Sequence, residues 1–315
     1  MESDLKGKIL KGVGGLYTVV VLSDGEFSGK IVRCRARGAL RHNHLTPLAG
    51  DLVTLGYEKK SDKNEDGSFV IDEIVHRRNS LIRPPLANLD YLFVTMAAAS
   101  PAPILPTVDK LISIAEHNKI EPVIVITKRE LNEERAREIE DIYTKCGFTC
   151  FSLSAVKNVG VEPIDEFIKQ NLKGKTAAFA GASGIGKSTL LNRLFPSLAL
   201  STSEISRKIE RGRHTTREVD LFPLSDNKDC GYIADTPGFS MLDFKRFDFF
   251  DKDDLVYTMR EFKDYIGSCK YTKCTHTKEE GCAICEAVRR GDIPKSRHES
   301  YVELFDILKT RKKWD

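Results

Sequence analysis

Gly181-Ala182-Ser183-Gly184-Ile185-Gly186-Lys187-Ser188-Thr189 decides the fold of this chain. The stretch matches G-x-x-x-x-G-K-[ST] in full, and its flanks suit it. Lys175 to Ala180 reads as an apolar strand, and Ser188 to Leu194 opens a helix. Glycines let backbone N–H groups curl around phosphates, and the helix N-terminus adds its dipole. Lys187 is expected to reach the β- and γ-phosphates and Ser188 to hold Mg²⁺. A glycine-rich turn with an incidental lysine is the bland reading, and the strand and helix on either side argue against it.

Downstream, Ile233-Ala234-Asp235-Thr236-Pro237-Gly238 ends a strand with an acidic residue and a tight turn. Alone, D-x-x-G is a common turn. About 50 residues after a phosphate loop, Asp235 reads as a Mg²⁺ contact and the Gly238 amide as a γ-phosphate contact. Arg213-His214-Thr215-Thr216-Arg217 lies between the two motifs. Its hydroxyls can complete a Mg²⁺ shell; Thr216 is favoured, with Thr215 the alternative.

Upstream stand two elements that read a base. Ile126-Thr127-Lys128-Arg129-Glu130 ends one apolar strand, and Leu153-Ser154-Ala155-Val156-Lys157 ends the next. A carboxylate at Glu130 can accept from the guanine N1–H and N2–H₂ donors, a pair that adenine lacks. Lys128 would lie along the base. The element departs from [NT]KxD by a glutamate one methylene longer, with Thr127 offering a hydroxyl where Asn offers an amide. A charged helix start is the alternative. Both base elements precede the phosphate loop, the reverse of the common order, which an α/β sheet tolerates because its termini lie near the surface.

From Tyr91 onward strands alternate with helices, which implies a parallel sheet covered on both faces. The predicted strands are Tyr91 to Met96, Val123 to Thr127, Phe148 to Leu153, Thr176 to Ala180, Val219 to Leu224 and Tyr232 to Asp235. The predicted helices are Val108 to His117, Leu131 to Cys146, Ile164 to Leu172 and one opening at Lys187. The region before about residue 75 reads instead as short strands punctuated by Gly14-Gly15, Asp24-Gly25, Ala49-Gly50 and Asp66-Gly67. Its predicted strands are Tyr17 to Leu22, Lys30 to Arg35, Asp51 to Tyr57 and Phe69 to Val75. An OB-type barrel is expected, with an SH3-like barrel the alternative. Arg33, Arg35 and Arg37 put positive charge on its surface, which suits nucleic acid. Arg83-Pro84-Pro85 reads as a linker.

Cys269-x4-Cys274-x-His276-x5-Cys282 places three thiolates and an imidazole within 14 residues. Three thiolates and one histidine form a closed structural Zn²⁺ set, and Cys285 reads as a bystander or substitute. Tyr301 to Leu308, at helical spacing, reads as packing. The expected organisation is a barrel over residues 1–75, a permuted GTPase domain over 76–244 and a helical zinc-binding domain over 245–315.

A net charge of +3 on 315 residues names no partner, but its distribution is clustered. Basic residues crowd at Arg33 to His44, at Arg207 to Arg217 and at Lys309 to Lys313, as on a surface for polyanions. No apolar run approaches the ~20 residues of a membrane span, and MESDLKGKIL lacks a secretory pattern. A cytoplasmic location is expected, and there cysteines favour metal over disulfides.

With TKRE, SAVK, GASGIGKST, RHTTRE, DTPGF and the Cys-Cys-His-Cys spacing in that order, the chain resembles the ribosome small-subunit-dependent GTPase A (RsgA) family over essentially its whole length. The resemblance implies a circularly permuted GTPase with an OB-like barrel. It implies binding to the small ribosomal subunit and its rRNA through barrel and zinc region, and release on hydrolysis of GTP to GDP. It also implies a cytoplasmic monomer with no membrane partner. Phe239 follows Gly238 where Ras-like proteins carry a water-orienting glutamine, so unaided hydrolysis is expected to be slow. His214 is the candidate for orienting water once the ribosome orders its loop; an RNA contact or plain surface role is the alternative. Two other classes compete: an ATP-driven P-loop enzyme, and a non-catalytic nucleotide-bound RNA-binding scaffold.

Overall fold

The computed structural model describes residues 5–38, 40, 46–58, 68–82, 84–196, 219–225, 230–235 and 250–310. The chain divides into two units, one of Met1–Asp90, Glu166–Phe179 and Phe195–Phe239, the other of Tyr91–Asp165, Ala180–Leu194 and Ser240–Asp315.

In the first unit, β1 (Leu5–Val13), β2 (Leu16–Val21), β3 (Ile31–Ala36), β4 (Leu52–Glu58) and β5 (Ser68–Ile74) close into a barrel of order β1-β2-β3-β5-β4. Every pairing is antiparallel except β3 with β5. That five-stranded closure matches the expected OB-type form. Ile9, Val19, Val21, Val53, Leu55 and Ile71 fill the interior with almost no exposed surface. The sequence reading missed β1. Its buried run Gly7 to Leu10 does not alternate, because a register shift between Ile9 and Lys11 bulges the strand.

Pro84 and Pro85 of the expected linker stand in the turn between β6 (Ser80–Leu81) and β7 (Leu86–Ala87), which pair as a small hairpin, and Arg83 lies outside the described residues. The first unit also carries β11 (Thr176–Ala180), β12 (Asp220–Pro223) and β13 (Tyr232–Asp235). β11 runs parallel to β13 with Thr176 facing Tyr232, and β12 runs antiparallel to β13 with Asp220 facing Asp235. Strand β1 meets this set through Lys11, whose Nζ lies 2.7 Å from Asp220 Oδ2. It meets it again through the buried Lys8, whose Nζ lies 3.1 Å from Thr176 Oγ1 and 4.3 Å above the Tyr232 ring.

In the second unit, β8 (Tyr91–Ala97), β9 (Glu121–Thr127) and β10 (Thr149–Ser152) are parallel in the order β10-β9-β8. Both faces of β9 are covered, so Pro122 to Thr127 is buried without a break, as its unalternating Val-Ile-Val-Ile run requires. Helix α1 (Leu105–His117) carries Pro106 in its first turn, where no intrahelical N–H bond is lost. Helix α2 (Glu133–Lys145) starts two residues later than predicted because the Asn132 side chain accepts from the Arg135 N–H and caps it. Helix α3 (Val161–Asn171) begins in this unit, its residues from Glu166 on belonging to the first, and α4 (Lys187–Leu194) follows.

The C-terminal part of this unit holds two 3-10 turns (Leu255–Thr258 and Arg260–Tyr265), then α5 (Ala283–Arg290) and α6 (Lys295–Lys309). Tyr301, Leu304, Phe305 and Leu308 form the buried stripe of α6, the packing role expected for them. Arg297 of α6 is fully buried. Its guanidinium reaches Asp109 of α1 at 2.5 Å and Glu261 at 2.7 Å, and Asp109 also accepts from the Tyr143 hydroxyl at 2.8 Å. Among the described residues no helix is long and apolar enough to cross a membrane.

Candidate nucleotide-binding site and metal cluster

The phosphate loop leaves β11 at Gly181, where φ is +151°. A Cβ there would sit 2.3 Å from the Thr95 carbonyl oxygen and 2.4 Å from Ile185 Cδ1, so only glycine lets the loop turn against β8. Ile185 is buried and anchors the loop from below, while Ala182, Ser183 and Gly184 are exposed above it. Gly186, at φ +93°, passes the chain into α4, and its carbonyl accepts the Leu190 N–H at 3.0 Å. Lys187 is half-buried, and Ser188 and Thr189 are exposed at the helix start. Exposed loop residues, the N-terminus of α4 and the half-buried Lys187 thus follow one another within nine residues. Anions are favoured there.

The two base elements come to the same place. Thr127 ends β9 fully buried, and its hydroxyl reaches the Ile185 carbonyl of the phosphate loop as well as the Met96 carbonyl at 3.1 Å. Lys128 adopts a left-handed backbone (φ +53°), its Nζ bonds the Ser100 carbonyl, and its stem passes near Gly186. Arg129 donates its N–H to Leu153 O at 3.2 Å, which fastens this turn to the second element, and its side chain pairs with Glu133 at 2.8 Å. Glu130 sits in the short 3-10 turn, and its Oε2 is buried with no hydrogen-bond partner. A buried carboxylate oxygen left without a donor is a costly arrangement unless a ligand supplies one.

The second element is a tight turn. Ser154 and Val159 exchange backbone hydrogen bonds at 2.8 and 3.0 Å, and Ser154 Oγ accepts the Lys157 N–H at 3.1 Å. Ala155 is half-buried and Val156 is 80% exposed, so the turn presents backbone rather than side chain on its inner side. Asn158 accepts from Arg193 of α4 at 2.9 Å, a bracing contact that the sequence reading did not foresee. Asp235 ends β13 as expected. His214, Thr215, Thr216, Gly238 and Phe239 lie outside the described residues.

Cys269, Cys274, His276 and Cys282 bring one ligand atom each to within 4.8 Å of one another. Zn–S bonds of ~2.3 Å and a Zn–N bond of ~2.0 Å at tetrahedral angles give S···S edges of about 3.8 Å and S···N edges of about 3.5 Å. The observed edges are 3.8 Å for Cys269 Sγ to Cys282 Sγ, and 3.4 and 3.6 Å from those sulfurs to His276 Nδ1. Burial pushes the Cys274 thiol up to about 12 and the Cys282 thiol up to about 11, and it lowers His276. Three thiolates at such a site need a cation to hold them ionised. The Ala283 N–H donates to Cys269 Sγ at 3.4 Å and the Cys285 N–H to Cys282 Sγ at 3.5 Å, as amides do around metal thiolates. Glu279 supports the turn. Against the opposing effect of its own burial, bonds from the Thr275 hydroxyl and the N–H groups of Thr275, Glu279 and Lys278 hold its carboxyl down at about 2, and the Thr277 N–H also donates to it at 3.0 Å. The donor set and its spacing fit one tetrahedral metal ion.

A phosphate loop on a mostly parallel sheet, whose strand β12 alone is seen to run antiparallel among the described residues, with guanine-type elements earlier in the chain than the loop itself, defines a circularly permuted P-loop GTPase. Comparison with known proteins gives the same class. The family model for the RsgA GTPase matches residues 74–245, and that for the RsgA N-terminal domain matches residues 6–65. The small ribosomal subunit biogenesis GTPase RsgA of Bacillus pumilus is 38% identical over 312 residues, 98% of each chain. Its namesake in Ruminiclostridium cellulolyticum is 38% identical over 308 residues, 96% of this chain and 93% of that one. Among solved structures, YjeQ from Thermotoga maritima is 32% identical with a TM-score of 0.79, covering 98% of this chain and 100% of its own. YloQ, described as a circularly permuted GTPase, is 31% identical with a TM-score of 0.75, covering 99% of this chain and 97% of its own. The chain belongs to the RsgA GTPase family and is a GTP hydrolase.

Proposed function

We propose that this GTPase binds the small ribosomal subunit and its rRNA in the GTP-bound form, assists late maturation of that subunit, and leaves when GTP is hydrolysed. The observation that carries the reading is the tie of Thr127 to the phosphate-loop carbonyl of Ile185, which sets the base-reading turn beside the phosphate cradle. The names borne by its relatives, small ribosomal subunit biogenesis GTPases, point to the partner.

In this reading the amides of residues 182–189 and the Lys187 ammonium hold the triphosphate. Glu130, through its unpartnered oxygen, takes the guanine N–H donors, with Thr127, Lys128, Arg129, Ser154, Ala155 and Val156 forming the rest of the base site. Ser188, Asp235 and Thr216 would hold Mg²⁺, which neutralises charge on the phosphates when bound. His214 would orient the attacking water when the subunit is bound. Cys269, Cys274, His276 and Cys282 would hold one structural Zn²⁺. The working parts are a barrel over residues 1–75, a GTPase domain over 76–244 and a zinc-binding domain over 245–315, in a cytoplasmic monomer.

The test is GTP turnover with and without purified small ribosomal subunits. Stimulation of about a hundredfold or more is expected, the scale seen when a partner completes a GTPase site. An unchanged rate, with no co-sedimentation of protein and subunit in a non-hydrolysable GTP analogue, would contradict the proposal.

A further inference from the structure

Cys285 is not needed to close the metal cluster, yet it stands against it. Cys282, a ligand candidate, is the N-cap of α5, and Cys285 is the third residue of that helix, so the pair reads Cys282-Ala-Ile-Cys285. The Cys285 N–H donates to Cys282 Sγ at 3.5 Å, which holds the Cys282 sulfur against the first turn of the helix that carries Cys285. Cys285 Sγ lies 3.8 Å from the His276 carbonyl oxygen and 3.8 Å from His298 Nε2, and His298 Nε2 itself lies 2.7 Å from the same carbonyl. Exposure differs across the pair. Cys282 has no exposed surface, whereas Cys285 is half-buried and can be met from solvent.

We infer that Cys285 and Cys282 form an oxidation site at which a two-electron oxidant of the peroxide class converts the pair to a disulfide and opens the metal cluster. This inference rests on reading the cluster as a metal site. In the first step the Cys285 sulfur attacks one peroxide oxygen, the O–O bond breaks, and water leaves behind a Cys285 sulfenic acid. In the second the Cys282 thiolate attacks the Cys285 sulfur, the S–O bond breaks, and hydroxide departs and takes a proton to become water. Two thiols supply two electrons, and one hydrogen peroxide becomes two waters. Only Cys269, Cys274 and His276 then remain as ligands, so the ion is released. Reduction by a dithiol restores both cysteines and the site.

The experiment uses the full-length protein purified with its metal. Metal content is measured first, and hydrogen peroxide is then added while a chelating dye reports released zinc. Peptide mass spectrometry locates any disulfide. The expected result is about one equivalent of zinc per chain, released together with a Cys282–Cys285 disulfide and rebound after dithiothreitol and fresh zinc. Cys285→Ser and Cys285→Ala keep all four ligand candidates and should bind zinc normally but release it about tenfold more slowly, with no disulfide at Cys282. Release as fast as in the parent protein from both variants overturns the inference, as does a disulfide mapped to Cys269 and Cys282 instead. A protein purified without zinc refutes the metal reading alone, and disulfide mapping then still decides whether the 282–285 pair is the oxidation site.

Discussion

Replacing Lys8 with methionine should make the protein more stable near neutral pH and remove one component of its pH dependence. Lys8 projects from β1 into a site where it is 5% exposed, with Thr176 Oγ1 and the face of Tyr232 as its close partners. Burial lowers it from 10.5 to about 8, a pull that the negative charge of Asp90 opposes. A difference of about 2.5 units corresponds to about 3 kcal/mol between charged and neutral forms. The sign follows from proton counting. Between pH 8 and pH 10.5 the unfolded chain holds this proton and the folded chain does not, so stability rises with pH through that window. Below pH 8 both states are charged and the folded state bears the full penalty. Lys8→Met keeps the apolar stem and loses only the Thr176 hydrogen bond and the ring contact, together ~1–2 kcal/mol. It should therefore gain about 1–2 kcal/mol at pH 7, and the gain should disappear as pH approaches 10. Urea unfolding followed by circular dichroism, run on both proteins across pH 7–10, measures the difference directly. Parallel stability curves over that range would show that Lys8 carries no such penalty, and the reasoning would fail.

Arg297→Ala leaves Asp109 and Glu261 buried without their cation and should destabilise the protein by about 3–5 kcal/mol; a loss below about 1 kcal/mol in chemical unfolding would show the triad to be dispensable. Thr127→Val removes the hydroxyl tie to the Ile185 carbonyl while preserving shape, so GTP affinity in a fluorescent-nucleotide titration should fall about tenfold with the fold intact. Thr127→Asn should retain most of it. Chelation should remove one metal ion per chain and expose amides of residues 269–290 to hydrogen exchange, while GTP affinity holds; unchanged exchange would argue against a structural metal there.

How much of this was legible in the sequence differs by region for physical reasons. The phosphate loop, the two base elements and the metal set are each built within a few consecutive residues, so motif and flanking pattern nearly determine their local geometry. The barrel closure was inferable from turn spacing, but its first strand was not, because the bulge near Ile9 and the buried charge of Lys8 erase the alternation that marks a strand. Arg297 offered no signal either. In Lys-Ser-Arg-His-Glu-Ser it looks like a solvated helix face, and only packing against Asp109, 188 positions earlier, buries it. The roles expected of His214 and Thr216 rest on motif order alone, and both lie outside the described residues.

The central claim is that Glu130 and its neighbours select guanine at a phosphate site built around Lys187. It is tested most directly by competing GTP and ATP against a bound fluorescent guanine nucleotide at equilibrium with Mg²⁺. Two charge-assisted hydrogen bonds to the base predict that GTP displaces the probe at a concentration about a hundredfold lower than ATP does. Equal displacement by the two nucleotides would contradict the account.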